Sequence, residues 1–235
     1  MTRPLIISDC DEVLLHMIVP FGQWLDETQD MSFQLVGNDF SSAIRGKVSG
    51  QPVEPAEIWR LLGAFFDDEM GRQTPIAGAI EAMNTLKQHA DVVVLTNLAD
   101  RHNPARTRQL AGHGLDVRVF TNHGPKGPAL AAIMAEYQPS SAVFIDDLAQ
   151  HIGSAAELVP QLDRLHLCGE PTLAPHITCA LKAGHAHARI DTWDHALPWL
   201  LDRIGETVLR SMLDWPNWGS SCRPLPHRWP LMCPS

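Results

Sequence analysis

Basic residues are in short supply in this chain. Lysine and arginine number 18 against 27 aspartates and glutamates, a formal charge of −9. Nonspecific nucleic-acid binding needs a basic surface, so no nucleic-acid partner is expected. Long apolar runs are also missing. No stretch reaches 18 apolar residues, which excludes a helical membrane span as the reading of any segment. Strand-like sequence begins by Leu5, so no signal peptide is expected. The five cysteines (Cys10, Cys168, Cys179, Cys222 and Cys233) are odd in number, scattered and free of any Cys-x-x-Cys pair. That usage fits reduced thiols in a cytoplasm rather than a disulfide frame.

What is present is an ordinary globular composition. The 235 residues are 45% hydrophobic and 19% charged, enough for one core with an insertion. The stretch Leu5-Ile6-Ile7-Ser8-Asp9-Cys10-Asp11-Glu12-Val13 stands out. An apolar strand stops at two carboxylates spaced one apart, and in extended backbone positions i and i+2 share a face. Such repulsion is tolerable where a cation sits beside the pair or one acid holds a proton.

Further on, the pattern becomes regular. Residues 91–95 are a strand-length apolar run ending at Thr96-Asn97. A helix is expected from Asn103, as cap, to about Gly112 or Gly114. Strands are expected at 117–120 and 142–145, the second ending at Asp146-Asp147. Lys126-Gly127-Pro128 opens a helix stopped by Pro139, and another helix runs to about Leu158. Residues 164–167 and 187–190 read as further strands. A last helix runs from Asp194 to about Met212, with a break near Gly205. Strands alternating with helices predict an α/β fold, a Rossmann-like parallel sheet covered on both faces. Residues 15–74 show no strand alternation. They read as a small helical insertion after the first strand, with helices near Phe21–Thr28 and Glu54–Met70, and turns at Gly37-Asn38-Asp39 and Ser49-Gly50-Gln51-Pro52. The division expected is therefore a core of residues 1–14 and 75–212, an insertion of 15–74, and an irregular tail of 213–235 rich in proline and tryptophan.

In a parallel sheet, ligands bind at the carboxyl ends of strands. Three strands here end in polar pairs, Asp9/Asp11, Thr96/Asn97 and Asp146/Asp147, and the architecture gathers them at one edge. The carboxylates form an oxygen-rich set of the kind Mg²⁺ uses. Thr96 offers a hydroxyl and Lys126 a positive charge. Together they suit a phosphoryl group, with one carboxylate as nucleophile and another as proton shuttle. Asp147 reads either as a ligand or as a residue orienting Asp146 and Lys126. Asn97 reads as a substrate contact or, more simply, as a loop cap. Arg45 and Lys47 read as solvated loop residues. Arg101, Arg106 and Arg108 read as surface helix charge, and His151 as a local hydrogen-bonding residue. Cys10 is expected to point into packing. His176, His185, His187 and His195 lack the tight spacing of a zinc site.

These segments resemble the four motifs of the haloacid dehalogenase (HAD) superfamily. Asp9-Cys10-Asp11-Glu12-Val13 is similar to the first, and Val93-Val94-Leu95-Thr96-Asn97 to the second. Lys126 is placed like the lysine of the third, and Phe144-Ile145-Asp146-Asp147 is similar to the fourth. The resemblance spans roughly residues 4–160. It implies Asp9 as nucleophile and Asp11 as general acid/base. It further implies Mg²⁺ held by Asp9, the Asp11 backbone carbonyl and Asp146 or Asp147, with Thr96 and Lys126 on the phosphoryl group. The insertion is placed like a C1 cap. Asp11 favours phosphatase chemistry over carbon–halogen cleavage. Glu12 departs from the family, where many members have glycine, and adds negative charge beside the site. The expected activity is Mg²⁺-dependent hydrolysis of a small phosphorylated metabolite. A phosphotransferase or phosphomutase, and a regulatory protein that binds without turnover, are the alternatives. A homodimer is compatible with this reading.

Overall fold

The computed structural model describes residues 2–34 and 43–205. Within them eight strands and seven α-helices run in chain order. They are β1 (Leu5–Ser8), α1 (Ile18–Thr28), β2 (Met31–Phe33), β3 (Ile44–Gly46), α2 (Pro55–Asp68), α3 (Ala79–His89), β4 (Asp91–Thr96) and α4 (Asn103–Gly112). There follow β5 (Arg118–Thr121), α5 (Gly127–Tyr137), β6 (Ala142–Asp146), α6 (Ala149–Leu158), β7 (Asp163–His166), β8 (Ala188–Arg189) and α7 (Trp193–Arg203).

Six strands form one parallel sheet in the order β5-β4-β1-β6-β7-β8. The alternation in β1 shows why its sequence is apolar throughout. Ile6 packs on one face with Val94, Ile145, Met83 and Trp199. Leu5 and Ile7 pack on the other with Val93, Phe144, Leu130 and Ile152. Both faces are covered, so each position stays out of water, at roughly 1.5–3 kcal/mol per fully buried large side chain. Register then sets the edge. Ser8 pairs with Val94 and with Ile145, so the next residue, Asp9, falls level with Asp146. The Asp9 amide still donates to the Ile145 carbonyl at 2.8 Å.

The segment between β1 and α3 differs from the expected all-helical insertion. It contains α1 and α2, and also an antiparallel ribbon in which Met31, Ser32 and Phe33 of β2 face Gly46, Arg45 and Ile44 of β3. Three-residue strands are too short to show a period of two, so the ribbon left no trace in the alternation. Its own apolar cluster joins Phe21, Trp24, Ile58, Leu61 and Phe65, with Phe33 and Phe66 packed on it. The Phe21 and Phe65 rings meet edge to face, 5.4 Å between centroids. A second difference is local. Asn103 is the first residue of α4 rather than its cap, because a 3₁₀ turn (Asp100–His102) precedes it and its amide group donates to the Val119 carbonyl. The turn expected at Gly37-Asn38-Asp39, the last helix beyond Gly205 and the tail lie outside the described residues.

The start of α5 depends on a missing side chain. A Cβ on Gly127 would lie 2.6 Å from the Ser154 carbonyl oxygen and 2.9 Å from Leu158. Glycine lets α5 approach α6 this closely, and it follows Lys126 directly. Gly127→Ala should lower the unfolding free energy by about 1–3 kcal/mol, the cost of overpacking a tight contact, as read by urea denaturation.

Candidate active site

Lys126 is completely buried at the mouth of α5. Its Nζ lies 2.8 Å from Asp9 Oδ1 and 2.7 Å from Asp146 Oδ2. Burial alone would lower the lysine pKa, but the two carboxylates outweigh it and raise it, so the ammonium stays charged. Asp9 Oδ1 also accepts from the Cys10 amide at 2.7 Å, and Asp146 Oδ1 from the Leu148 amide at 2.9 Å. Asp146 is thereby held at both oxygens, and Asp9 at one.

One lysine faces three acids. Asp9, Asp146 and Asp147 are all buried, with ligand oxygens within 4.8 Å of one another. Burial pushes Asp9 up to about 6, an effect that Lys126 opposes and that Asp146 and Asp11 reinforce. Burial likewise raises Asp146, and it raises Asp147 well above the carboxylate range, with Asp146 and Asp9 adding to it. Surplus buried negative charge with converging oxygens is the donor set of a hard divalent cation, which would relieve the repulsion. The Asp147 backbone is pinned by His166, whose Nε2 lies 2.6 Å from its carbonyl oxygen.

Thr96 ends β4 with its side chain fully buried and its Oγ1 without a partner. A buried hydroxyl with no partner costs about 1–3 kcal/mol, so this is an unmet bond at the same sheet edge. Asn97 is taken up locally. Its amide nitrogen donates to the Gly124 carbonyl at 3.0 Å and lies 3.3 Å from His151 Nε2, and its oxygen accepts from Asn122. It ties together the loops after β4 and β5, in line with the loop-cap alternative. Burial, with Lys126 adding to it, holds the His151 pKa down at about 4.

Asp11 has a different environment from Asp9. Arg106 Nη2 reaches its two oxygens at 2.8 and 3.1 Å, and Gln73 donates to Oδ1 at 2.6 Å. Arg106 is wholly buried, which overturns its reading as surface helix charge. Its Nη1 also lies 3.2 Å from Cys10 Sγ, so the buried Cys10 thiol meets a guanidinium as well as apolar neighbours. A signal was available: Arg106 stands four residues before Leu110, the buried leucine of α4, and therefore on its inward face. Nothing in the sequence pointed to Gln73.

Glu12 is accounted for by the fold. It is 3% exposed, and its backbone takes a left-handed φ of 60° that turns the chain sharply after the acids. Its Oε1 accepts from the Met17 and Ile18 amides at 2.9 and 2.5 Å, which caps the start of α1. Burial pushes the Glu12 pKa up to about 7, against the pull of those two N–H groups. The remaining expectations concern loops. Lys47 pairs with Asp26 at 2.9 Å and Arg45 donates to the Gly50 carbonyl, both at the surface. Of the late histidines, His187 accepts from the Arg164 amide and His195 bonds Thr192.

No family model matches the chain, and comparison with curated proteins found no similar sequence. Solved structures do resemble it. The putative HAD-hydrolase YfnB from Bacillus subtilis, bound to magnesium, is 14% identical with a TM-score of 0.61, covering 86% of this chain and all of that one. A haloacid dehalogenase-like hydrolase from Streptococcus pneumoniae is 12% identical with a TM-score of 0.58, covering 84% and 98%. A putative beta-phosphoglucomutase from Thermotoga maritima is 14% identical with a TM-score of 0.55, covering 85% and 99%. At such low identity the likeness shows the fold. This chain has the haloacid dehalogenase-like fold, as the four segments suggested. No helix among the described residues is long and apolar enough to cross a membrane.

The burial of Arg106 has a measurable consequence. Arg106→Leu would leave Asp11 without its ion pair and should cost about 3 kcal/mol of stability in urea denaturation, with Arg106→Lys losing less because it keeps the charge. A surface arginine would change stability by less than about 0.5 kcal/mol.

Proposed function

We propose that this HAD-like fold carries a Mg²⁺-dependent phosphohydrolase that acts on a small phosphorylated metabolite through an aspartyl-phosphate. The observation that carries the reading is the meeting of Asp9, Lys126, Asp146 and Asp147 beside the partnerless Thr96 hydroxyl. Charge and hydrogen-bonding capacity are both set out there for an anion bound together with a cation. The name of the magnesium-bound Bacillus subtilis neighbour agrees with that choice of cation.

In the proposed reaction Thr96 Oγ1 donates to a phosphoryl oxygen, and Lys126 supplies positive charge beside the attacking carboxylate. Asp9, Asp146 and Asp147 are the side chains that would hold Mg²⁺, which when bound neutralises phosphoryl charge. Lys126 and the Cys10 amide grip one oxygen of Asp9, so the carboxylate is oriented before substrate arrives. Asp9 attacks phosphorus, the ester P–O bond breaks, and Asp11, protonated on an oxygen that Arg106 releases in the substrate complex, gives its proton to the departing oxygen. A water then attacks the phosphorus of the aspartyl-phosphate. Asp11 takes its proton, the acyl-phosphate P–O bond breaks, and Asp9 is restored with release of inorganic phosphate. Arg106 and Gln73 act through Asp11 as positioning residues.

The segment 15–74 is the cap in this reading, and it restricts the site to small substrates. Its ribbon and aromatic residues give it an apolar cluster of its own. In this reading the protein works in the cytoplasm, a choice that its odd-numbered, scattered cysteines support.

Purified protein with Mg²⁺ should release phosphate from a generic aryl phosphate, and chelation of the metal should stop it. Asp9→Asn should lower the rate by about 10³-fold or more with an unchanged circular dichroism spectrum. Retained turnover in that variant would remove Asp9 as the nucleophile. Release of inorganic phosphate without any added acceptor separates hydrolysis from phosphoryl transfer to a second metabolite.

A further inference from the structure

A second group of ligating side chains lies on the other side of the turn that follows Asp11. Glu12, His16 and Glu170 bring their ligand atoms within 4.8 Å of one another. They come from distant parts of the chain. Glu12 and His16 belong to the turn between β1 and α1, and Glu170 follows β7. The two stretches meet because Gly169 has no side chain: a Cβ there would lie 2.7 Å from Ile76 and 3.3 Å from the Glu12 carbonyl oxygen. The Gly169 amide donates to that carbonyl at 2.6 Å, which sets Glu170 beside Glu12.

Both carboxylates are held in the same manner. Glu12 Oε1 accepts from the Met17 and Ile18 amides. Glu170 Oε1 accepts from the Thr172 amide at 2.9 Å and the Thr172 hydroxyl at 2.6 Å. Each acid thus has one oxygen anchored by backbone or hydroxyl donors, and only Glu12 keeps its second oxygen without a partner. Glu170 Oε2 lies 2.8 Å from His16 Nδ1. The spare Glu12 Oε2 is buried, on a residue only 3% exposed, and has no partner. Outer contacts that fix one oxygen and present the other are how proteins orient monodentate metal ligands. The 2.8 Å between His16 Nδ1 and Glu170 Oε2 is a hydrogen-bond distance, and the two atoms would part to about 3.3 Å to become neighbouring ligands of a tetrahedral ion with bonds near 2.0–2.1 Å.

We propose that Glu12, His16 and Glu170 form a second cation site, for a divalent transition metal of the Zn²⁺ type. The chemistry separates it from the Asp9–Asp146–Asp147 set. That set offers oxygen alone and suits a hard ion, whereas one imidazole with two carboxylates favours a metal that accepts nitrogen. In the metal-bound form the proton held between His16 Nδ1 and Glu170 Oε2 would pass to solvent, both atoms would offer their lone pairs to the ion, and Glu12 Oε2 would gain the partner it lacks. Access exists. The His16 side chain is 26% exposed, and Ile18 and Thr172, whose amides hold the two acids, also line a cavity of about 380 Å³. An ion here would tie the start of α1 to the loop after β7, joining the segment that follows β1 to the sheet edge. This site shares no side chain with the proposed phosphohydrolase centre, so its metal content can be measured whether or not that reading holds, although Glu12 acts electrostatically on Asp147.

The test is metal analysis of the full chain after dialysis against Zn²⁺ in excess Mg²⁺, with X-ray absorption at the zinc edge. The wild type should retain one Zn²⁺ more than His16→Asn or Glu170→Gln, and zinc should raise the melting temperature of the wild type but of neither variant. The zinc shell should contain oxygen, one imidazole and no sulfur. Wild-type protein that retains no zinc, variants that retain as much as the wild type, or a shell with sulfur or several imidazoles would overturn the proposal. Should both variants fail to fold, the shell measured on the wild type decides alone.

Discussion

The buried ammonium of Lys126 is the contact on which the sheet edge depends. Three carboxylates, Asp9, Asp146 and Asp147, sit where β1 and β6 end, and none is in open water. Without a cation in their midst, burial and mutual repulsion would drive them to take up protons or to move apart. Lys126 binds two of the three, and Gly127, next in the chain, is where α5 closes on α6. The lysine does not complete the balance: the Asp147 pKa stays raised well above its ordinary value, by burial first and by its acidic neighbours next.

A second ion pair works in parallel. Arg106 and Asp11 join α4 to the turn after β1, with Cys10 and Gln73 drawn into the same group. The two aspartates of the opening motif are therefore held by different cations from different helices. This division gives chemically identical side chains unlike surroundings: Asp9 is buried among other acids, while Asp11 is gripped at both oxygens by a guanidinium. Glu12, next in line, points elsewhere again and caps α1. Within four residues the chain sends three acids to three partners. The left-handed backbone at Glu12 is part of what makes that separation geometrically feasible.

Much of this was legible in the residues. The order of strands and helices from residue 91 onward, the parallel sheet and the polar strand ends all followed from apolar runs of strand length and from punctuation by glycine and proline. The motif resemblance agreed with them. The ribbon of β2 and β3 did not show, because three residues carry no usable period. Arg106 was misjudged because charge is an excellent guide to exposure except where a buried opposite charge awaits it, and Asp11 lies 95 residues away. Glu12 looked like an unhelpful charge because its partners are backbone amides, which carry no signature in a sequence.

The sequence by itself determined the sheet, the set of acids at its carboxyl edge and the lysine that accompanies them, since these rest on local periodicity and on residue types that are costly to bury without a purpose. Only the tertiary structure decided which cation each acid meets, that Arg106 is interior, and that Glu12, His16 and Glu170 converge. Those outcomes depend on distances between segments far apart in the chain. Such distances are set by register and by close approaches at Gly127 and Gly169, and no local pattern encodes them.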